Sequence, residues 1–222
     1  MAIPPVRKRI EAVRLLRLAS KKAQTRKRAD TPTLFAEDRQ PHTDYLLVPR
    51  VSSERRRYLP IGFLPASTIA GDTITLPNAT LYHFGVVVSS VHMAWMRLLC
   101  GRLKSDYRYS PSLVYNTLPW PDLRGSTSSC EKISQTAQSI LDARAKYPDS
   151  SYKALYDNTF MPPDLRAAHA ANDRAVLAAY GLKPDTPEPE IVAHLFRLYA
   201  KAAGPSLKSF KSLSSLKGAA NG

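Results

Sequence analysis

The alternation of apolar and polar positions near the N-terminus is that of a basic amphipathic helix. Between residues 6 and 28, apolar residues such as Val6, Ile10 and Val13 recur at helical spacing, and arginines and lysines surround them. We therefore predict a helix over 6–28 that ends before Pro32, because proline pushes the preceding residue out of helical geometry. Such a helix is typical of a solvated surface, of a nucleic-acid contact or of a membrane contact.

The segment from Tyr45 to Pro77 has the pattern of short β-strands interrupted by prolines. The runs "YLLVPRV", "RRYLPIGFLP" and "DTITLP" each contain or end at a proline, which donates no hydrogen bond to a sheet. Strand ends, bulges or edges are therefore expected at these prolines, with a turn at Gly71-Asp72. The pattern predicts a small, irregular sheet with loops at its rim.

Helical spacing returns between residues 86 and 103. Ser89 or Ser90 is a candidate N-cap for this helix. Its predicted apolar face comprises Val91, Trp95, Leu98, Leu99 and Leu103. The next residues, "KSDYRYSPSLVYNTLPWPD", hold three tyrosines and a tryptophan without clear periodicity. We expect an extended, aromatic-rich segment that packs against a neighbour.

The C-terminal third has a helical pattern. One helix is predicted to end near Pro148, and a second begins at Pro162-Pro163 and ends at Gly181. A third opens between Pro187 and Glu190. These positions agree with the preference for proline at the start of a helix and glycine at its end.

The fold class follows from the order of these elements. We predict an α+β protein, with a small irregular sheet and flanking helices at 1–125 and a small all-helical domain at 130–202. The polar stretch "GSTSSC" separates the two. Residues 203–222 are rich in serine, lysine and glycine, which predicts a disordered tail.

The charge of the chain narrows the function classes. The 222 residues carry a net charge of +14, and 15 basic against 6 acidic side chains place +9 of it within residues 1–57. A concentrated basic region favours a polyanionic partner, most often nucleic acid and less often a membrane surface. Hydrophobic residues make up 44% of the chain, which is enough for a folded core.

Other sequence features bear on location. Cys100 and Cys130 lack the spacing of a zinc site or a disulfide framework, so a reducing, cytoplasmic location is expected. No continuous apolar segment follows the basic N-terminus, which argues against a secretory signal, although an arginine-rich start also resembles an organellar transit peptide. No apolar run approaches the roughly 18 residues that span a bilayer, so no membrane partner is expected.

Motifs of common catalytic centres are missing from the sequence. It contains no Walker A loop, GxGxxG, HExxH or GxSxG motif. We interpret His83 and His92 as packed, hydrogen-bonded residues, Asp106 as an ion-paired carboxylate and Cys100 as an inert core thiol. The expectation is a chain without a catalytic centre, a metal or a bound cofactor.

The stretch "RVSSERRRYLP" at residues 50–60 concentrates charge between two apolar runs. An extended backbone would place Glu54, Arg56 and Tyr58 on one face and the two other arginines of the triplet on the opposite face. Arginine bonds guanine bidentately, and glutamate accepts from the cytosine amino group. The alternative is an edge strand charged against aggregation. The basic helix nearby favours nucleic acid, with phosphate contacts from the helix.

Three long stretches carry a family resemblance. They are "RLASKKAQTRKRADTPTLFAEDRQPHTDYLLVPRVSSERRRYLPIGFLP", "HFGVVVSSVHMAWMRLLCGRLKSDYRYSPSLVYNTLPWP" and "LYDNTFMPPDLRAAHAANDRAVLAAYG". Over about residues 10–202 the chain resembles the C-terminal part of MmeI-type DNA methyltransferases. These are single-chain restriction-modification enzymes with nuclease, adenine methyltransferase and target recognition domains. The blocks "PRVSSERRRY" and "CGRLKSDYRYS" are the most specific.

The resemblance implies a role for each part of the chain. Residues 1–125 would be an N-terminally truncated target recognition domain that binds DNA, and 130–202 the family's helical C-terminal domain. Glu54 and Arg56 would contact base edges. Residues implied to contact the DNA backbone or to support the base contacts are Arg50, Ser52, Ser53, Arg55, Arg57, Tyr58, Lys21, Lys22, Arg26 and Arg28.

The family's catalytic motifs are absent from these 222 residues. Its cofactor-binding glycine motif, its Asn-Pro-Pro-Tyr motif and its nuclease motif would lie upstream of Met1, so S-adenosylmethionine would bind a domain missing from this chain. The expected function is that of a sequence-specific module for double-stranded DNA, which acts with a separate methyltransferase subunit. The alternatives are a basic nucleic-acid-binding protein without sequence preference, an inactive gene remnant and an intact enzyme.

Overall fold

The computed structural model describes residues 3–35, 39–123 and 127–204. They fall into two units, Met1–Gln40 and Pro41–Gly222. Of the predicted disordered tail, residues 205–222 lie outside the described ranges. The domain boundary predicted at 125–130 stays a prediction. Within the described ranges, no helix is both long and apolar enough to cross a membrane.

The first unit contains two helices where the sequence predicts one. Four residues separate helix α1 (Pro4–Leu18) from α2 (Ala23–Lys27), and a 3-10 turn follows at Arg28–Asp30. The prediction of a continuous helix over 6–28 is therefore wrong. Ser20 favours the break, because its Oγ accepts a hydrogen bond from the Lys22 N–H at 3.2 Å and so competes with helical bonding.

Arg17 holds the end of this unit together. Its Nη1 donates to the carbonyls of Arg28 and Thr31, both at 2.8 Å, and its Nη2 donates to the Leu34 carbonyl at 2.7 Å. Helix α1 has no buried residue. The unit is therefore fastened by guanidinium-to-backbone bonds around the buried Ala29 more than by an apolar core.

The second unit opens with two small antiparallel sheets. The strands are, in chain order, β1 (Tyr45–Pro49), β2 (Val51–Ser52), β3 (Gly62–Leu64), β4 (Thr73–Pro77), β5 (Gly101–Leu103) and β6 (Asp106–Arg108). Strand β1 lies between β3 and β4, and β6 lies between β2 and β5. Pro49 and Pro77 stand at strand ends, so the prediction of short strands bounded by prolines is confirmed.

The helices of the second unit flank these sheets and then continue alone. They are α3 (Leu81–Val87), α4 (Ser90–Leu99), α5 (Thr127–Ala145), α6 (Tyr152–Leu155), α7 (Pro163–Ala179) and α8 (Glu188–Ala203). The starts and ends predicted for the C-terminal helices are confirmed at Pro163, Glu188 and Gly181, which takes a φ of 71°. The α+β fold class predicted from the sequence is confirmed.

The N-cap predicted at Ser89 or Ser90 is confirmed for α4, whereas the predicted continuation of this helix to Leu103 is wrong. Ser89 starts α4 as its N-cap, because its Oγ accepts from the His92 N–H at 3.3 Å. The helix ends at Leu99, and the residues that follow form β5. Leu98 and Leu103, predicted on the apolar face, are each 51% exposed. Leu103 lies in the hairpin of β5 and β6 instead of on a continued helix.

The aromatic segment after β6 packs as expected, although it is less extended than predicted. Residues Pro111–Tyr115 form a π-helical turn. The Trp120 ring lies edge-on to His83 and to Tyr115, with ring centroids 5.6 and 5.7 Å apart. The segment is therefore held against α3.

Helices α3 and α5 approach closely at Gly85. A Cβ built on Gly85 would lie 2.6 Å from Ile133 Cγ2, which is too near for any side chain. The Gly85 carbonyl accepts from Asn172 Nδ2 of α7 at 2.8 Å. The sheet-bearing part and the helical part of the second unit thus share one buried cluster.

Candidate nucleic-acid interface

Residues 53–57 form an arginine turn, the name used below for this segment, and not a strand. Strand β2 pairs with β6 only at Val51 and Ser52. Beyond it the Arg56 N–H bonds the Ser53 carbonyl at 3.1 Å, which closes a turn. The predicted extended backbone is therefore wrong, and so is the predicted face shared by Glu54, Arg56 and Tyr58.

The turn presents its charged side chains to solvent. Glu54, Arg55 and Arg57 are exposed, and Arg56 is half-buried. The Glu54 N–H donates to Asp106 Oδ1 at 3.4 Å. Asp106 therefore fixes the backbone at the start of the turn, and its predicted ion pair stays a prediction.

The two serines of the predicted site lie under the turn. Ser52 is 3% exposed, and its Oγ accepts from Arg56 Nη1 at 3.4 Å. Ser53 Oγ accepts from the Arg55 N–H at 3.4 Å. The Ser52 hydroxyl therefore holds the Arg56 guanidinium, and the Ser53 hydroxyl holds the Arg55 backbone.

Arg50 has an internal partner. Its Nε lies 2.6 Å from Asp72 Oδ1, and its carbonyl accepts from the Tyr109 N–H at 2.7 Å. Arg50 therefore joins β1 and β2 to their neighbours, and part of its charge is offset within the protein.

Tyr58 is a core residue. Its side chain is 1% exposed, and its ring stacks on His169 with centroids 4.1 Å apart. Its hydroxyl donates to Asp173 Oδ2 at 2.7 Å. The Arg57 guanidinium lies 5.5 Å from the Tyr58 ring centroid. Tyr58 therefore anchors the end of the arginine turn.

A buried polar network from the C-terminal helices surrounds Tyr58. His169 Nε2 lies 2.8 Å from the Tyr156 hydroxyl, and burial, with Arg144 and Arg57 nearby, lowers the pKa of His169 to about 3. Burial raises the pKa of Asp173.

Arg144 is the cationic member of this network and is only 5% exposed. Its Nη1 donates to the Ile61 carbonyl at 2.7 Å, and its Nε donates to the Tyr156 hydroxyl at 2.8 Å. Three aromatic rings, those of Phe84, Tyr152 and Tyr156, lie within 4.9 to 5.2 Å of the guanidinium carbon.

Sequence reasoning missed this network. A signal exists on α7, where the buried face combines Leu165 and Val176 with the polar residues His169, Asn172 and Asp173 at helical spacing. Polar residues at core positions require internal partners. The identity of those partners is not visible in the sequence.

A cleft of about 520 Å³ opens beside the arginine turn. It is lined by Ser53, Arg55, Arg56, Ser151, Lys153, Ala154, Asp157, Asn158 and Phe160. Asn158 Oδ1 accepts from the Arg57 N–H at 3.2 Å, and its Nδ2 donates to the Arg55 carbonyl. The three cations of the lining outnumber its single carboxylate, which favours an anionic ligand.

The basic residues predicted in the first unit differ in their surroundings. Lys21 and Lys22 are exposed in the break between α1 and α2, and Arg28 is exposed at the 3-10 turn. Arg26 Nη1 donates to the carbonyls of Ser20 and Lys21 at 3.0 and 2.9 Å. Arg26 therefore stabilises the break itself.

The histidines examined as candidate ligands are packed, as predicted. His92 is fully buried, with Nε2 2.9 Å from the Tyr109 hydroxyl, and burial lowers its pKa to about 4. His83 Nδ1 accepts from the Thr80 N–H at 3.2 Å in the cap of α3.

Cys100, predicted as a core thiol, is half-exposed, and burial raises its pKa. In the described ranges no group of three or more His, Cys, Asp or Glu is placed to hold a metal ion.

Family models match both parts of the chain. The model of the MmeI target recognition domain matches residues 1–122, and that of the MmeI C-terminal domain matches residues 126–205.

Two known proteins extend the similarity. DNA methyltransferase A of Bacillus subtilis (strain 168) is 36% identical over 197 residues, which are 88% of this chain and 22% of that protein. The structure of the Type IIL restriction-modification enzyme MmeI in complex with DNA superimposes with a TM-score of 0.83 at 43% identity. It covers 89% of this chain and 26% of MmeI. The chain thus spans about a quarter of the length of these relatives.

Proposed function

We propose that this chain, which belongs to the family of the MmeI target recognition and C-terminal domains, recognises a specific sequence in double-stranded DNA for a restriction-modification methyltransferase. The arginine turn is the structural feature that best supports this proposal. It exposes Glu54, Arg55 and Arg57 on a backbone that is bonded at its start to Asp106 and at its end, through Tyr58, to Asp173. A rigid display of charged groups suits contacts to base edges.

Glu54 and Arg56 are the proposed base-contacting residues. An arginine bonds O6 and N7 of guanine in a planar fork, and a glutamate accepts from the amino group of cytosine. Ser52 supports this role of Arg56, because its hydroxyl accepts from the guanidinium and limits its orientations. The structure of the related MmeI in complex with DNA supports DNA as the ligand.

The proposed backbone contacts come from exposed cations. Arg55 and Arg57 flank the base-contacting arginine, and Lys21, Lys22 and Arg28 are exposed in the first unit. Phosphate contacts fix register and orientation without selecting a sequence. Arg26, Arg50 and Tyr58 have internal partners, so their role is to hold the contacting residues.

Methyl transfer is assigned to a methyltransferase domain or subunit outside these 222 residues. S-adenosylmethionine would bind there, and adenine is the proposed target base. The cytoplasm is the proposed location.

The test is a selection of duplexes by the whole 222-residue chain from a library with a randomised core. Sequence-specific recognition predicts that the enriched duplex binds about a thousandfold more tightly than random DNA at physiological salt. Equal binding of all duplexes, with a steep dependence on salt, would instead establish a basic protein without sequence preference. Methyl transfer to adenine by the purified 222-residue chain alone would contradict the assignment of catalysis to residues outside it.

A further inference from the structure

Asn158 bonds both peptide groups that flank Arg56. It lies after α6, about a hundred residues from the turn in sequence. Its Nδ2 donates to the carbonyl of Arg55, which belongs to the peptide group before Arg56. Its Oδ1 accepts from the N–H of Arg57 at 3.2 Å, which belongs to the peptide group after Arg56. A single planar amide thereby fixes the two backbone rotations at Arg56.

The loop that carries Asn158 is itself attached to the core. Tyr156 on one side and Met161 on the other are buried, at 2% and 7% exposure. The Tyr156 hydroxyl accepts from Arg144 Nε and lies 2.8 Å from His169 Nε2. Arg166 Nη2 donates to the Asn158 carbonyl at 3.4 Å. The position of the Asn158 amide is therefore set by the helical C-terminal region.

We infer that Asn158 is a positioning residue for base discrimination, an assignment that rests on the proposed function. A bidentate contact between arginine and guanine requires the guanidinium plane to meet the base edge within narrow limits of distance and angle. Asn158 supplies this alignment by holding the peptide groups on both sides of Arg56. The helical C-terminal region thus takes part in sequence selection through the turn.

Removal of the Asn158 side-chain amide is expected to lower discrimination between DNA sequences without lowering the affinity for random DNA. In Asn158→Ala all the arginines and Lys153 keep their charge, so affinity for random DNA stays within about twofold of the wild type. The preference for the matched duplex over the same duplex with one base pair changed falls by about tenfold, because Arg56 meets the base edge in several orientations. Asn158 is exposed, so the variant retains its fold.

The experiment combines hydrogen exchange with binding, on the whole 222-residue chain. Exchange at the Arg57 N–H reports the bond to Asn158 without any DNA. Asn158→Ala exposes this N–H, whereas Asn158→Asp keeps an acceptor for it, loses the donor to the Arg55 carbonyl and adds a negative charge. The matched control is Asn116→Ala, an exposed asparagine outside the cleft. Binding is measured on the duplex that the wild type enriches from the randomised library and on its single-base-pair variants.

The outcomes distinguish this assignment from the function on which it rests. Faster exchange at Arg57 together with lost discrimination in Asn158→Ala, and neither change in Asn116→Ala, supports the assignment. A wild-type chain that discriminates while Asn158→Ala discriminates equally well overturns the assignment alone. Unchanged exchange at Arg57 in Asn158→Ala overturns it as well. A wild-type chain that binds every duplex equally overturns the proposed function and this assignment together.

Discussion

The Tyr58 hydroxyl donates a 2.7 Å hydrogen bond to Asp173 Oδ2 across 115 positions of sequence. The other carboxylate oxygen, Oδ1, accepts from the Ser90 N–H at the start of α4, also at 2.7 Å. One buried carboxylate therefore joins the end of the arginine turn, the helix beside the sheets and helix α7. The segment proposed to contact DNA and the helical C-terminal region are for this reason parts of one structure.

Tyr58→Phe is expected to lower the free energy of unfolding by about 1 to 3 kcal/mol, because the largely buried Asp173 carboxylate loses a hydrogen-bond donor. Urea unfolding at pH 7 measures the loss. Tyr147→Phe is the matched control, since the Tyr147 hydroxyl bonds Asp164, which Lys146 also contacts near the surface. Equal losses in the two variants would contradict the importance of the buried bond.

His169 is expected to make stability depend on pH. Its folded pKa of about 3 lies below the ordinary value of 6.5. Between these two pH values the imidazole is protonated in the unfolded chain and neutral in the folded chain. The contribution to stability is therefore complete above about pH 6.5 and is lost as the pH falls toward 3. The slope from this one residue is about 1.4 kcal/mol per pH unit.

Comparison of the wild type with His169→Gln isolates this contribution. Urea unfolding at pH 7, 6, 5 and 4 is expected to show a shallower decline in the variant, even though the variant is less stable at pH 7. Parallel curves for the two proteins would show that His169 takes up its proton over the same pH range in the folded and unfolded chains, which would contradict the lowered pKa. His92, whose pKa burial lowers to about 4, contributes equally to both curves.

Gly85→Ala is expected to destabilise the second unit. Helix propensity favours alanine over glycine by about 1 kcal/mol. The new methyl group would, however, lie 2.6 Å from Ile133 and 3.2 Å from Ala137 on the neighbouring helix, and overpacking of this kind costs about 1 to 3 kcal/mol or more. Gly71→Ala, where nothing lies within 4 Å of the new atom, serves as control. A more stable Gly85→Ala variant would disprove the close contact between α3 and α5.

The residues of the arginine turn and of the first unit are expected to affect binding differently. Glu54→Ala or Arg56→Ala relaxes the preference at one base pair, with a loss of about 1 to 3 kcal/mol in discrimination. Lys21→Ala weakens binding to all duplexes alike and reduces the salt dependence by about one phosphate contact. Arg26→Ala likewise weakens binding to all duplexes, but it also removes two hydrogen bonds to the backbone of the first unit. Identical behaviour of all these variants on a randomised library would contradict the proposed division of roles.

Lys153 is expected to bind phosphate from within the cleft. Lys153→Ala should weaken binding to matched and random duplexes by the same factor, because a lysine contacts phosphate as a point charge. Titrations at several salt concentrations measure the effect. A change in base preference instead would place Lys153 among the base-contacting residues.

Local patterns predicted most of the elements. The helix over 127–145 follows from apolar spacing with a stop before Pro148. Those over 163–179 and 188–203 follow from apolar spacing with proline at the start and glycine after the end, and the short strands follow from β-like runs that prolines interrupt. The predictions failed where a local pattern continued past a break. Ser20 interrupts a helix that the apolar spacing alone would continue, and the helix predicted to reach Leu103 ends at Leu99.

Sequence by itself determined that the chain is basic, that it combines a small sheet with helices, and that Glu54 to Arg57 form its most unusual charged segment, because charge and periodicity are local properties. The tertiary structure alone decided that this segment is a turn, that Tyr58 lies in the core, and that Asn158 and Asp173 hold the turn in place. The reason is physical. A buried hydroxyl or an unsatisfied peptide group takes its partner from whatever segment the fold brings near, and a hundred residues of intervening chain leave no trace of that choice in the local pattern.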